Sequence, residues 1–358
     1  MSRFDELVWS AALNGAAPSL PSLVAGSAGR PSECVVFETV IVAEEVEPLD
    51  LLSGGHTVNV GQRSVMLVSD RDGDFVLVAE PAGAEGVFHI VGSTPSSDAR
   101  WQRIERRIRS SAPNLVPCFL NHNDFADIGS ALSEFGTVEV RTLSARHRRD
   151  PKSINLSWKR DEYQLRPDHR AAIEEAEEQE ASLRSLRLYL AESEGLDLHV
   201  RRVSGATFYS GNFEVFNSVV LPRLANAADR RRRLMHDRQR RAGAPVPEPI
   251  EVVLPIDRFK GADDTAKILD HIAKVSHLSH AVLHRNPYFH LSVTDHHDGS
   301  NFDVMVTSAD RIQITPGFRA SPGAFTELAQ YLGDWFAADR ISEAATEQAF
   351  SIYDLISR

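Results

Sequence analysis

Three stretches of this chain hold side chains whose types and spacing could do chemistry. Asp70-Arg71-Asp72-Gly73 follows the apolar run Val65–Val68, and Asp295-His296-His297 follows Leu-Ser-Val-Thr at 291–294. Carboxylates and imidazoles gathered in this way can bind divalent cations, acidify a bound water and cleave a phosphodiester. The third stretch is Arg223–Arg241, with eight arginines and no lysine in a chain of net charge −11. Guanidinium groups at that density suit a phosphate backbone or an acidic protein surface.

The elements that must position these groups temper each reading. Asp295-His296-His297 resembles the metal-binding signature of the DHH phosphoesterases, and Asp70-Arg71-Asp72-Gly73 resembles the aspartate motif of the same superfamily. That resemblance implies a divalent-metal site built from Asp70, Asp72, Asp295, His296 and His297, acting on a phosphodiester. It covers about a dozen of 358 residues. In that family each motif ends a parallel strand and leads into a helix. Here each lies between two alternating strands, where Asp-Gly makes a hairpin turn, and the glycine-rich C-terminal motif is absent. The expected reading is therefore hairpin turns and no metal, with a metal-dependent phosphodiesterase as the alternative. His277, His280 and His284 share one face of an expected helix and read as a solvated polar stripe.

The arginine tract continues a helix whose first half is buried through Phe213, Phe216, Val220 and Leu224. Beyond Leu224 the apolar stripe fades, and Ala-Gly-Ala-Pro-Val-Pro-Glu-Pro at 242–249 supplies a linker. The chain holds 34 arginines and five lysines, so part of this richness is a composition bias rather than a site signal. The glutamates of 174–180 offer the tract an internal partner. Arg103, Arg106, Arg107 and Arg109 oppose Trp101, Ile104 and Ile108 on a second helix, and Arg146, Arg148, Arg149 and Lys152 form a basic loop.

Charge is unevenly laid out. Residues 1–98 carry −10, residues 99–166 carry +5, 167–222 carry −5, 223–241 carry +6 and 242–358 carry −7. Strand patterns dominate 34–92, with a hairpin across Asp70–Asp74. Strand, helix and strand follow each other from Leu115 to Leu143, an α/β signature. Helices are expected from Asp168 to Leu190, Asp263 to His284 and Ser342 to Ile356, and a second hairpin joins Phe289–Thr294 to Phe302–Val306. The two hairpins resemble each other in pattern.

The sequence thus predicts a mixed α/β (α+β) fold in three parts. These are an acidic β-rich domain at 1–98, a basic α/β domain at 99–241 and an α+β domain at 242–358. No apolar run approaches the ~20 residues of a membrane helix. The first residues carry acids where a signal peptide is basic. Cys34 and Cys118 read as buried thiols of a reducing compartment. The expected protein is a cytoplasmic, bacterial, nucleic-acid-associated subunit of a larger assembly, without catalysis or cofactor of its own. Its contacts to DNA or RNA would be Arg103, Arg106, Arg107, Arg148, Arg149, Arg230, Arg231, Arg232, Arg233, Arg238, Arg240 and Arg241. Its other partners would be protein subunits, and no membrane. A scaffold that binds an acidic protein through the same arginines is the remaining alternative.

Overall fold

The computed structural model describes residues 1–16, 18–27, 34–43, 46–52, 55–112, 114–147, 153–157, 167–179, 181–191, 195–203, 205–236, 248–255, 257–285, 289–317 and 320–344. Two helices, α1 (Arg3–Leu13) and α2 (Leu20–Ser27), precede β1 (Val35–Val42). A 3-10 turn at Asp50–Leu52 leads to a meander of β2 (Gly55–Val60), β3 (Arg63–Val68), β4 (Phe75–Pro81) and β5 (Val87–Gly92). Next come α3 (Ala99–Ser110), β6 (Leu115–Pro117), α4 (His122–Leu132), β7 (Val138–His147) and β8 (Ser153–Ser157). They are followed by α5 (His169–Glu178), β9 (Ala181–Leu190), β10 (Leu196–Arg201) and β11 (Gly205–Gly211). A final helix opens as α6 (Phe213–Val215), passes through a π turn at Phe216–Val220 and continues as α7 (Leu221–His236). Pro222 lacks the N–H for a regular helical bond, and the π turn just before it accommodates that loss.

The remaining elements are β12 (Ile250–Val253), α8 (Ala262–Ile272), β13 (Leu278–His284), β14 (Phe289–Asp295), β15 (Asn301–Ser308), β16 (Arg311–Pro316), α9 (Pro322–Trp335) and β17 (Arg340–Glu343). The chain divides into two compact units, Met1–Arg231 and Arg232–Arg358. The boundary expected at 98/99 falls within the first unit, because β1 pairs with β5 and β6 and also with β11. Every named strand pairing among the described residues is antiparallel, the middle strands included. The architecture is mixed α+β, as the sequence predicts.

The first unit is one long sheet ordered β2-β3-β4-β5-β1-β11-β10-β9-β7-β8. One core joins residues of α1, α2, α4, α5 and α7 to one side of it. A smaller core packs α3, through Trp101, Ile104 and Ile108, against β1 and β3–β5. Trp101 is fully buried there. The second unit has its own core between its sheet and helices α8 and α9.

Its strand order, β13-β14-β15-β16-β12-β17, repeats that of the N-terminal half of the first sheet. In each case a first strand lies beside the last strand of a four-stranded meander. A helix follows the meander, and a short strand then pairs with the free side of the first strand. The two hairpins that look alike in sequence, β3–β4 and β14–β15, occupy the same place in the two copies.

Several expected helices are shorter. α5 stops at Glu178, and 181–190 is strand β9, where Leu183, Leu186, Leu188 and Leu190 are buried among polar alternates. Pairing with β7 and β10 outweighs the local preference for helix there. Likewise α8 ends at Ile272, so His280 and His284 lie on strand β13 and His277 precedes it. The three histidines form no helical face. Residues 340–343 form β17, and 345–358 lie outside the described residues.

Backbone geometry also fixes one glycine. Gly211 sits at φ +98°, and a Cβ there would lie 2.0 Å from the carbonyl oxygen of Gly195. Gly211→Ala is expected to lower stability by roughly 2–4 kcal/mol in urea unfolding, through combined strain and clash.

Candidate functional sites

The Asp-His-His stretch forms the turn from β14 to β15. Asp295 ends β14 fully buried, and its Oδ1 accepts the His297 backbone N–H at 2.8 Å. The backbone N–H of His296 donates to the His277 carbonyl at 2.8 Å, which sets the α8–β13 connection beside this turn. Ser321 caps α9 by accepting from Ala324 N–H, and its own N–H donates to Ser300 Oγ at 2.9 Å. The start of α9 is thereby tied to the same turn, and Glu327 follows in its second turn.

The result is a cluster of two imidazoles and two carboxylates. Donor atoms of His277, Asp295, His297 and Glu327 all lie within 4.8 Å of one another. His277 Nε2 is 3.6 Å from Glu327 Oε2, and His297 Nδ1 is 3.5 Å from Asp295 Oδ1. The imidazole rings of His277 and His297 stack at 4.2 Å. Tyr331 donates to Glu327 Oε1 at 2.7 Å and orients that carboxylate. Burial, reinforced by Asp295 and Asp298, pushes the Glu327 carboxyl up to about 7. Burial also pulls His277 down from its ordinary range. His296 is exposed and outside the cluster. The sequence names Asp295 and His297 but gives no signal for Glu327, because a helix some 30 residues on supplies it.

Asp70 and Asp72 are not among the four residues of this cluster. They belong to the first unit, where Arg103 of α3 donates to Asp70 Oδ2 at 2.5 Å and to Asp72 Oδ2 at 2.9 Å. The Arg103 hydrogen bond holds the Asp70 carboxyl below its usual range. Of the five residues that the resemblance implies as an alternative metal set, Asp295 and His297 lie in this cluster, Asp70 and Asp72 pair with Arg103, and His296 is outside the cluster. The Asp70 and Asp72 carboxylates are matched by a guanidinium already.

The arginine tract is anchored more deeply than its sequence suggests. Arg230 and Arg231 both donate to Asp124 of α4, at 2.8 and 2.5 Å. Arg231 is buried, donates to the Ala227 carbonyl and lies 4.9 Å over the Phe119 ring. It is a packing residue, unavailable to a phosphate. Arg230 and Arg233 keep exposed side, and Arg232 is half-buried. Arg238, Arg240 and Arg241 lie outside the described residues, as do Arg148 and Arg149. On α3, Arg103 is committed to the turn and Arg107 donates to the Leu52 carbonyl, while Arg106 is exposed.

A second polar surface lies on the first sheet. The apolar residues of β7, β9 and β10 face the core with α4, α5 and α7, and their alternates Arg141, Arg187, Tyr189, His199 and Arg201 are half-buried on the other face. The Arg141 guanidinium stacks 4.2 Å from the Tyr189 ring centroid, and that of Arg187 4.4 Å from Tyr209. Both arginines pair with buried Asp197. Arg201 makes a loose 3.9 Å pair with Glu38, and its guanidinium nitrogens lack hydrogen bonds. Burial, with Arg201 and Arg187 adjoining, lowers His199 to about 4, so it is neutral near pH 7. Reading 181–190 as helix hides this face in the sequence.

No family of known proteins matches the chain, and neither does any curated protein. Among the described residues no helix is long and apolar enough to cross a membrane.

Proposed function

We propose that the protein is a non-catalytic interaction subunit that holds an acidic segment of a partner protein on the β7, β9 and β10 part of one face of its first sheet. The observation that carries this is the pair of arginine–tyrosine stacks, Arg141–Tyr189 and Arg187–Tyr209, beside the smaller α3 core on the sheet face opposite the main core. Rigid aromatic and guanidinium groups supply much of the energy of protein interfaces at low entropic cost. Four arginines, Arg141, Arg146, Arg187 and Arg201, outnumber Glu38, Glu139 and Asp197 on this side. At the arginine tract, Arg231 is buried on Asp124, while Arg230 also reaches Asp124 with its side chain 61% exposed. A cytoplasmic place in a bacterial assembly fits two buried free thiols, of which Cys118 is pushed up to about 12 by burial.

The test begins with a partner co-purified from the native host, then purified and titrated against the full chain. Tyr189→Ala and Arg187→Ala, which leaves Arg141 on Asp197, are expected to weaken that complex about tenfold or more. Unchanged affinity in both variants sinks the proposal. Salt-dependent binding of a single-stranded oligonucleotide, lost in the same variants, would assign the face to nucleic acid instead.

A further inference from the structure

The turn-and-helix corner of the second unit differs chemically from its counterpart in the first. In the N-terminal copy, turn carboxylates Asp70 and Asp72 meet Arg103 in the second turn of α3, and opposite charges satisfy the corner. In the C-terminal copy the turn carboxylate Asp295 meets another carboxylate, Glu327, in the second turn of α9. The same place in the topology thus holds two acids where the other copy holds acids and a cation. Two imidazoles complete the set, and their lone pairs can serve a cation that a guanidinium would not need.

The burial of this corner sharpens the point. The Glu327 side chain is 7% exposed and that of Asp295 only 2%. Glu327 Oε2 has no hydrogen-bond partner and faces His277 Nε2, which also has none. At 3.6 Å the two are too far apart for a good hydrogen bond. A buried carboxylate oxygen left without a hydrogen bond is costly, and natural sequences retain one chiefly where a further group satisfies it. His297 lies at the exposed edge, so a small ion can enter from solvent.

We infer that His277, Asp295, His297 and Glu327 form a binding site for one divalent transition-metal ion. The chemical class follows from the donors. Two imidazoles with two carboxylates suit zinc and its neighbours, whereas magnesium and calcium prefer oxygen alone. A tetrahedral ion draws such atoms to about 2.0–2.1 Å from itself, so donors now within 4.8 Å need only small side-chain rotations to close around it. The Tyr331 hydroxyl, on Glu327 Oε1, leaves Oε2 as the ligand atom. The ion binds the β14–β15 turn to α9 in the role that Arg103 plays between the β3–β4 turn and α3. This site is independent of the sheet face proposed above.

The test titrates Zn2+ into the chelator-stripped full-length protein by calorimetry, with Co2+ absorption as a second readout. One Zn2+ per chain is expected, and Co2+ should give the visible bands of a low-symmetry nitrogen–oxygen site. His297→Ala removes an exposed ligand, and Glu327→Gln keeps shape while removing charge. Each is expected to weaken Zn2+ binding about 100-fold and to abolish the Co2+ bands. His296→Ala, one residue away and outside the cluster, is expected to stay within about threefold. The site is refuted by no saturable Zn2+ binding, by binding that survives both ligand changes, or by an equal loss in His296→Ala. Thermal melts of each variant identify a loss of binding that reflects unfolding, and agreement between the two ligand variants then decides the outcome.

Discussion

Replacing Asp124 by alanine is expected to destabilise the first unit by about 3–5 kcal/mol, the range for removing one partner of a buried ion pair. Asp124 is 7% exposed at its side chain, and it works in two directions. Within α4 it completes a capping box, accepting the Asn121 N–H at 2.7 Å while its own N–H donates to Asn121 Oδ1. Across the fold it receives Arg231, whose side chain is 8% exposed, together with Arg230. Without the carboxylate, Arg231 remains charged, buried beside Phe119 and unmatched. The control is Arg230→Ala. That side chain is 61% exposed, and its loss is expected to cost under about 1 kcal/mol. Urea denaturation of both variants reads the difference. If Asp124→Ala is as mild as Arg230→Ala, the arginine tract is not held as described and its solvent-facing role must be reconsidered.

Glu327→Gln is expected to reverse the order of stabilities depending on metal. In chelator-treated protein at pH 8, the variant should be more stable than the unsubstituted chain by roughly 2–3 kcal/mol. The sign follows from burial, which raises the folded-state carboxyl from 4.5 to about 7. Below about pH 4.5 the group is protonated in both folded and unfolded chains and costs nothing. As pH rises through 7 the folded form must carry the unfavourable charge, and the penalty becomes complete. The advantage of glutamine should therefore shrink towards pH 5 and vanish below it. Zn2+ at 100 times its dissociation constant adds about 2.7 kcal/mol to the protein that binds it, and so brings the unsubstituted chain to about parity at pH 8 and above the variant at lower pH. Thermal melts with and without Zn2+ across pH 5–8 would show the crossing. A variant less stable than the unsubstituted chain under all these conditions would mean that Glu327 is satisfied within the protein itself.

Much of the fold is legible in the sequence because its signals are local. Val35–Val42 is β-branched and apolar and forms β1, and Asp-Gly turns join β3 to β4 and β14 to β15. The apolar spacing of Trp101, Ile104 and Ile108 places α3 face down. Where the sequence misleads, a short helix and a strand adjoin without a breaker. The glutamates before Gln179 favour helix and end as α5, yet the leucines just beyond bury in β9 only because β7 and β10 flank them. The same happens between α8 and β13, which turns a supposed histidine face into one ligand candidate and two strand residues. The repeated strand order is visible in sequence only as one similar hairpin, since strand pairing does not require matching side chains.

The candidate site divides along the same line. Sequence alone determines that aspartate and histidines occupy a hairpin turn near residue 295, and that the arginines from Arg230 to Arg233 continue a helix begun by Phe213 and Phe216, because both depend on neighbours along the chain. Only the tertiary structure decides what those groups meet. It brings Arg103 to the acids of one turn and Glu327 to the acid of the other, and it places Asp124 under Arg231. The physical reason is reach. Charge and donor type are carried by single residues, whereas pairing depends on packing between helices and turns distant in sequence. Whether a carboxylate is neutralised by a guanidinium or left open to a metal ion is settled only there.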